Sequence, residues 1–179
     1  MNSHKRNILR VLSALALIVI FSEIALSQIS GYTNRLKGQV NSAQVSGSSD
    51  LSNFPVLMSF TLPDLRSTGN GGLVQNVNGY DILFTAANGT SILSHQIETY
   101  DPTTGQIEIW VRFPTLSATS NTEFYMYYGN SGIVSDPSSA NVWDSNYKMV
   151  LHMNNNTNDA SGEGTDATDS GTSDAAVQI

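Results

Sequence analysis

The stretch QIEIWVRFPTLSATSNTEFYMYYGN, residues 106–130, reads as two strands joined by a polar loop. In its first half Ile107, Ile109, Val111 and Phe113 alternate with Gln106, Glu108, Trp110 and Arg112, the period of two that turns one face of a strand into a core. In its second half Phe124, Met126 and Tyr128 fall on one side, and Glu123, Tyr125 and Tyr127 on the other. The β-branched and aromatic content suits a pleated, half-buried surface. If the two strands pair as antiparallel neighbours, Trp110 shares a face with Tyr125 and Tyr127, flanked by Glu108, Arg112 and Glu123. That face is the candidate ligand-binding surface, because sugar rings set apolar C–H faces against aromatic rings while their hydroxyls seek polar groups. The competing expectation is that Trp110 packs beneath a loop or a second layer.

Upstream, residues 54–61 (FPVLMSFT) alternate Phe54, Val56, Met58 and Phe60, and Leu57 adds apolar area on the opposite face. Residues 36–40 form a weaker first strand, and residues 80–85 and 94–100 two further ones. Between them lie a single helical turn at Pro63-Asp64-Leu65-Arg66, a glycine-rich loop at residues 69–72, an Asn-Gly turn at Asn88-Gly89 and the turn Asp101-Pro102-Thr103-Thr104-Gly105. Short strands at regular spacing, without a helix of ten residues, predict an all-β fold: an antiparallel, jelly-roll-like β-sandwich.

The first 27 residues resemble an export signal, with Lys5, Arg6 and Arg10 ahead of an apolar run of 11 residues, 11–21, and small Ala25 and Ser27 before the expected cleavage. The run is short for a membrane span, so membrane contact is expected only through this segment before cleavage. Its removal takes three of 8 basic and one of 15 acidic residues, leaving a clearly acidic chain. Such a charge disfavours nucleic acid as a partner. There is no cysteine, which excludes thiolate catalysis and cysteine-ligated zinc.

Several sequence blocks together resemble the bacterial and archaeal family called domain of unknown function 2341. They are Phe54-Pro55-Val56-Leu57, Gly79-Tyr80-Asp81-Ile82, Tyr100-Asp101-Pro102-Thr103-Thr104-Gly105, Trp110-Val111-Arg112-Phe113-Pro114, Tyr127-Tyr128-Gly129-Asn130 and Val142-Trp143-Asp144. The resemblance covers residues 35–144. Residues 148–153 and the Asn- and Asp-rich segment after them resemble the opening of a laminin-G or concanavalin-A-like jelly roll, implying a truncated second β domain at residues 148–179. The resemblance supplies no catalytic residues. Some longer members continue into proton-channel proteins of the biopolymer-transport class.

His95 and His152 are expected to be structural, since each stands alone in the sequence. Gly129-Asn130-Ser131-Gly132 lacks the pattern of a nucleophile elbow. Asp159, Glu163, Asp166 and Asp169 do not follow calcium-loop spacing and are expected to form a solvated acidic loop. No cofactor or metal is expected. The sequence therefore predicts a secreted or cell-surface, non-enzymatic binding module, with polysaccharide or another surface protein as partner. The alternative is an accessory domain of a carbohydrate-active enzyme or of an envelope transport protein.

Overall fold

The structure, a computed structural model, describes residues 29–153 and 156–168. The expected export signal and Asp169 lie outside the described residues. One antiparallel sheet orders β1 (Asn34–Val40), β6 (Thr122–Tyr128) and β3 (Leu83–Ala86); the other orders β2 (Leu51–Thr61), β5 (Gln106–Leu116) and β4 (His95–Asp101). Among the described residues the first and last strands pair with each other, β1 with β6, and the next two inside them, β2 with β5. This nesting is the wrap of a jelly-roll-like β-sandwich.

The alternation in the decisive stretch directs side chains as expected. Ile107, Ile109, Val111 and Phe113 from β5 and Phe124, Met126 and Tyr128 from β6 all enter one core. The expected pairing of the two strands does not occur: β5 lies between β2 and β4, and β6 between β1 and β3. The 117–121 connection crosses from one sheet to the other, so the two apolar faces meet across the core, with the Phe113 and Phe124 rings 5.6 Å apart. Periodicity identifies the apolar face of each strand but not its neighbour. A glycine helps select the neighbour actually used. Gly38 on β1 stands opposite Phe124, whose ring occupies the space a Cβ would fill, 2.3 Å away.

Two further expectations need correction. Tyr80, Asp81 and Ile82 precede β3 and form a turn, because the Asp81 carboxylate is engaged by surrounding backbone. Its Oδ1 accepts from Asn76 N at 2.9 Å, and its Oδ2 from Gln75 N, Gly129 N and Asn130 N at 2.8, 3.0 and 3.1 Å. Phe54, expected in the core, is 40% exposed. The preceding Asn53 has a positive φ of 50°, which interrupts the pleat at the start of the strand. From Pro55 onward β2 resumes, with Val56 and Met58 buried.

Several of the sequence blocks meet in space. Asp81 joins the Gly79-Tyr80-Asp81-Ile82 block to Gly129-Asn130, and a Cβ on Gly79 would lie 2.9 Å from the Tyr100 ring. Asp101 accepts from Thr103 N, Thr103 Oγ1 and Thr104 Oγ1, shaping the β4–β5 hairpin turn. These hydroxyl bonds come first among the causes that hold its carboxyl down at about 2. Gly105 closes the turn at a φ of +75°, and a Cβ there would lie 2.1 Å from Leu62 O. Trp110 meets Trp143, joining two further blocks, and that contact lies on the outer face of the β2–β5–β4 sheet.

Candidate functional site

On β5, Glu108, Trp110 and Arg112 point away from the core by the same alternation that buries Ile107, Ile109 and Val111. Trp110 stands opposite Leu57 on β2 and Gln96 on β4. The chain returns over this face after β6. Ser139 N donates to His95 O at 3.0 Å and Ile97 N donates to Ser138 Oγ at 3.1 Å, fastening the returning segment to β4. A 3-10 turn at Ala140–Val142 then buries Val142 and sets Trp143 with its ring centroid 5.0 Å from that of Trp110. Tyr147 follows, 5.2 Å from the Trp143 ring.

Between this returning strap and β2 lies a cavity of about 540 Å³. Trp110, Trp143, Tyr147, Phe54 and Leu57 give it an aromatic and aliphatic lining, while Gln44 and Ser46 contribute polar groups. A second cavity of about 220 Å³ shares Phe54, Pro55 and Tyr147 with the first and adds Ser52, Asn53, Asp144 and Asn146. Together they form a groove that is apolar at the Trp110 end and rich in hydrogen-bonding groups at the Asn146 end. Trp110 and Tyr147 are half-buried, whereas Trp143 is 7% exposed and backs the groove. This is the mixture of ring faces and a few polar groups that small-molecule and glycan sites use.

Behind the two indoles runs a chain of hydrogen bonds. Trp110 Nε1 donates to Glu98 Oε2 at 3.0 Å, and Trp143 Nε1 donates to Gln96 Oε1 at 2.9 Å. His152 joins the two acceptors, contacting Glu98 Oε2 through Nδ1 and lying 2.9 Å from Gln96 Oε1 through Nε2. His95, on the opposite side of β4, is different: it is 3% exposed, packs on Phe84 and places Nδ1 3.3 Å from Leu93 O. Burial pushes its imidazole below the ordinary value.

The residues expected to share one binding face are divided between the sheets. Trp110, Glu108 and Arg112 lie on β5, and of these only Trp110 lines the groove among the described residues. Glu108 accepts from Ser59 Oγ at 3.4 Å, and Arg112 stands opposite Pro55. Tyr125 lies on the other sheet with the Arg35 guanidinium 4.4 Å above its ring. Tyr127 is fully buried and donates from its hydroxyl to Gly89 O at 2.8 Å. Glu123 pairs with Lys37 at 2.8 Å, an exposed contact of small energetic weight. The expected common face required β5 and β6 to be neighbours, and they are not.

Sequence reasoning missed Tyr147, Gln96 and Glu98 as parts of the site, and it set His152 aside as a solitary residue. The available signal was Val142-Trp143-Asp144, a second tryptophan after the last strand followed closely by Tyr147 and His152. The acidic loop is also more ordered than expected. Asp159 accepts from Val150 N, Ser161 N, Ser161 Oγ, Thr165 N and Thr165 Oγ1, drawing residues 159–165 back onto residue 150. These bonds, led by Val150 N, hold its carboxyl far below the usual carboxylate range. Among the described residues, no group of three or more His, Asp or Glu is placed to hold a metal, and no helix is long and apolar enough to cross a membrane.

The chain is an all-β sandwich with an aromatic groove roofed by the segment that follows its last strand. Residues 78–167, half of the chain, match the family described as Domain of unknown function (DUF2341), and the chain belongs to that family. No curated protein and no solved structure matches it. The family match includes Asp81, Trp110, Trp143, Tyr147 and His152, while the β2 side of the groove, with Asn53, Phe54 and Leu57, lies before it.

Proposed function

We propose that this protein is an exported, non-catalytic binding module whose groove takes a polysaccharide chain. The observation carrying this proposal is the groove itself: Trp110, Tyr147 and Phe54 offer ring surface beside Asn53, Asn146 and Asp144. A sugar ring has apolar C–H faces and a rim of hydroxyls, which complement those two kinds of lining. The basic and apolar start of the sequence supports export. The resemblance of residues 148–153 to the opening of a laminin-G or concanavalin-A-like domain supports a modular surface protein in which this sandwich is one unit.

The test is affinity electrophoresis of the mature chain through gels containing soluble neutral polysaccharides. Retardation by at least one of them, with a loss of about 30-fold or more in affinity for Trp110→Ala, is the expected result. Unretarded migration through xylans, galactans and β-glucans alike, or a Trp110→Ala protein retarded like its parent, overturns the proposal.

A further inference from the structure

The hydrogen-bonding capacity of the groups behind the groove determines where the protons lie. An indole nitrogen only donates, so Trp143 Nε1 at 2.9 Å requires the Gln96 atom facing it to be the amide oxygen. The same oxygen lies 2.9 Å from His152 Nε2, which must therefore carry a proton and donate. On the other side of the imidazole, Nδ1 contacts Glu98 Oε2, and that oxygen already accepts from Trp110 Nε1 at 3.0 Å. Two lone pairs cannot face each other there, so a proton lies between Nδ1 and the carboxylate. The arrangement thus places one proton between His152 Nδ1 and Glu98 Oε2 and is joined to both indoles at its ends.

This circuit is segregated from the groove. Among the described residues lining the 540 Å³ cavity, Trp110 and Trp143 are present but no residue of β4 is, whereas both indole acceptors, Gln96 and Glu98, belong to β4. The indole N–H edges are consequently turned away from the cavity. Only the carbon faces of the rings remain for a ligand.

We propose that Gln96, Glu98 and His152 are positioning residues that fix the two tryptophans as a stacking platform, so that the groove takes its ligand through ring faces and not through indole hydrogen bonds. His152 is the element that locks the strap: it follows Trp143 and Tyr147 in sequence and ties their segment to β4. The ligand-contact part of this inference rests on the polysaccharide proposal; the proton arrangement and the fixing of the indoles do not. A glycan held this way is recognised by the shape and the C–H face of its rings at the Trp110 end, with its hydroxyls met by Asn53, Asn146 and Asp144 at the other.

The experiment combines nitrogen-detected NMR of the His152 ring with near-ultraviolet circular dichroism and glycan titration of the full mature chain. His152 Nε2 is expected to give the signal of a protonated ring nitrogen. His152→Gln and Glu98→Ala are expected to flatten the tryptophan dichroism and weaken glycan binding about tenfold while the far-ultraviolet spectrum is unchanged. Glu98→Gln preserves an acceptor for Trp110 and should retain more affinity than Glu98→Ala. An unprotonated His152 Nε2, or tryptophan dichroism unmoved in both Glu98→Ala and His152→Gln, overturns the positioning role. If Nε2 is protonated and the dichroism responds but the parent binds no glycan, the polysaccharide proposal fails and the positioning role stands without it.

Discussion

Two carboxylates organise this molecule in opposite ways. Asp81 lies wholly inside and accepts from backbone amides of the 75–76 loop and of the Gly129-Asn130 turn, so its oxygens are used in joining main chain to main chain. Glu98 lies on the outer side of β4 and engages side chains, an imidazole and an indole, and the remaining surface of that indole borders a cavity. The first cluster leaves nothing over for a ligand. The second immobilises polar edges and leaves aromatic surface facing a cavity, which makes it the candidate site. A buried acid in a motif is therefore no pointer to function until the groups it holds are known.

The largest expected effect tests the scaffold half of that contrast. Asp81→Ala removes the acceptor of four backbone N–H groups at once and should cost about 3–5 kcal/mol, read as a lowered urea midpoint. A loss below about 1 kcal/mol would mean that water or neighbouring carbonyls replace it, and the contrast would collapse. Trp110→Ala should be milder for stability, roughly 1–2 kcal/mol for a half-buried ring, yet decisive for ligand binding. If it unfolded the domain, Trp110 would belong with Asp81 in the scaffold.

Acid titration should separate the interior histidine from the exposed turn. Burial lowers the folded-state value of His95 below 6.5, so the unfolded chain takes up that proton first. Stability is then complete above about 6.5 and declines as pH falls below it, levelling once the folded form is also protonated. Asp101, held at about 2 against an ordinary 3.8, contributes a second decline between those two values as its bonds to Thr103 and Thr104 are lost. His95→Phe should abolish the upper step and leave the lower one, which denaturation midpoints measured across pH would show. The smallest effect belongs to Tyr125→Ala. It loses a cation–π contact with Arg35, about 0.5–1 kcal/mol, and should leave ligand affinity unchanged, since Tyr125 lies on the sheet away from the groove.

The strands and their core faces were legible because alternation is a local property: β1, β2, β4, β5 and β6 fall where the apolar period puts them. Which strands adjoin was not legible, because the polar 117–121 connection is equally suited to a hairpin and to a crossing between sheets. Tyr80-Asp81-Ile82 misled for a related reason. Their composition is that of a strand, and the amides that converge on Asp81, from Gln75 and Asn76 nearby and from Gly129 and Asn130 48 and 49 residues away, hold them in a turn. The site was half visible. Trp110 faces outward from its sheet and also lies half-buried against the returning strap, as the competing expectation had it, but its partners were assigned from a pairing that does not exist, while those it has arrive from β4 and from a strap with no regular pattern of its own.

The most direct measurement is to map a neutral oligosaccharide onto the protein by amide chemical shifts. Saturable shifts should cluster at residues 52–57, 110 and 143–147, with the indole signals of Trp110 and Trp143 among those that move and the amides of residues 35–37 and 125 stationary. Shifts centred on Arg35 and Tyr125, or the absence of any saturable response at the groove, would contradict the account.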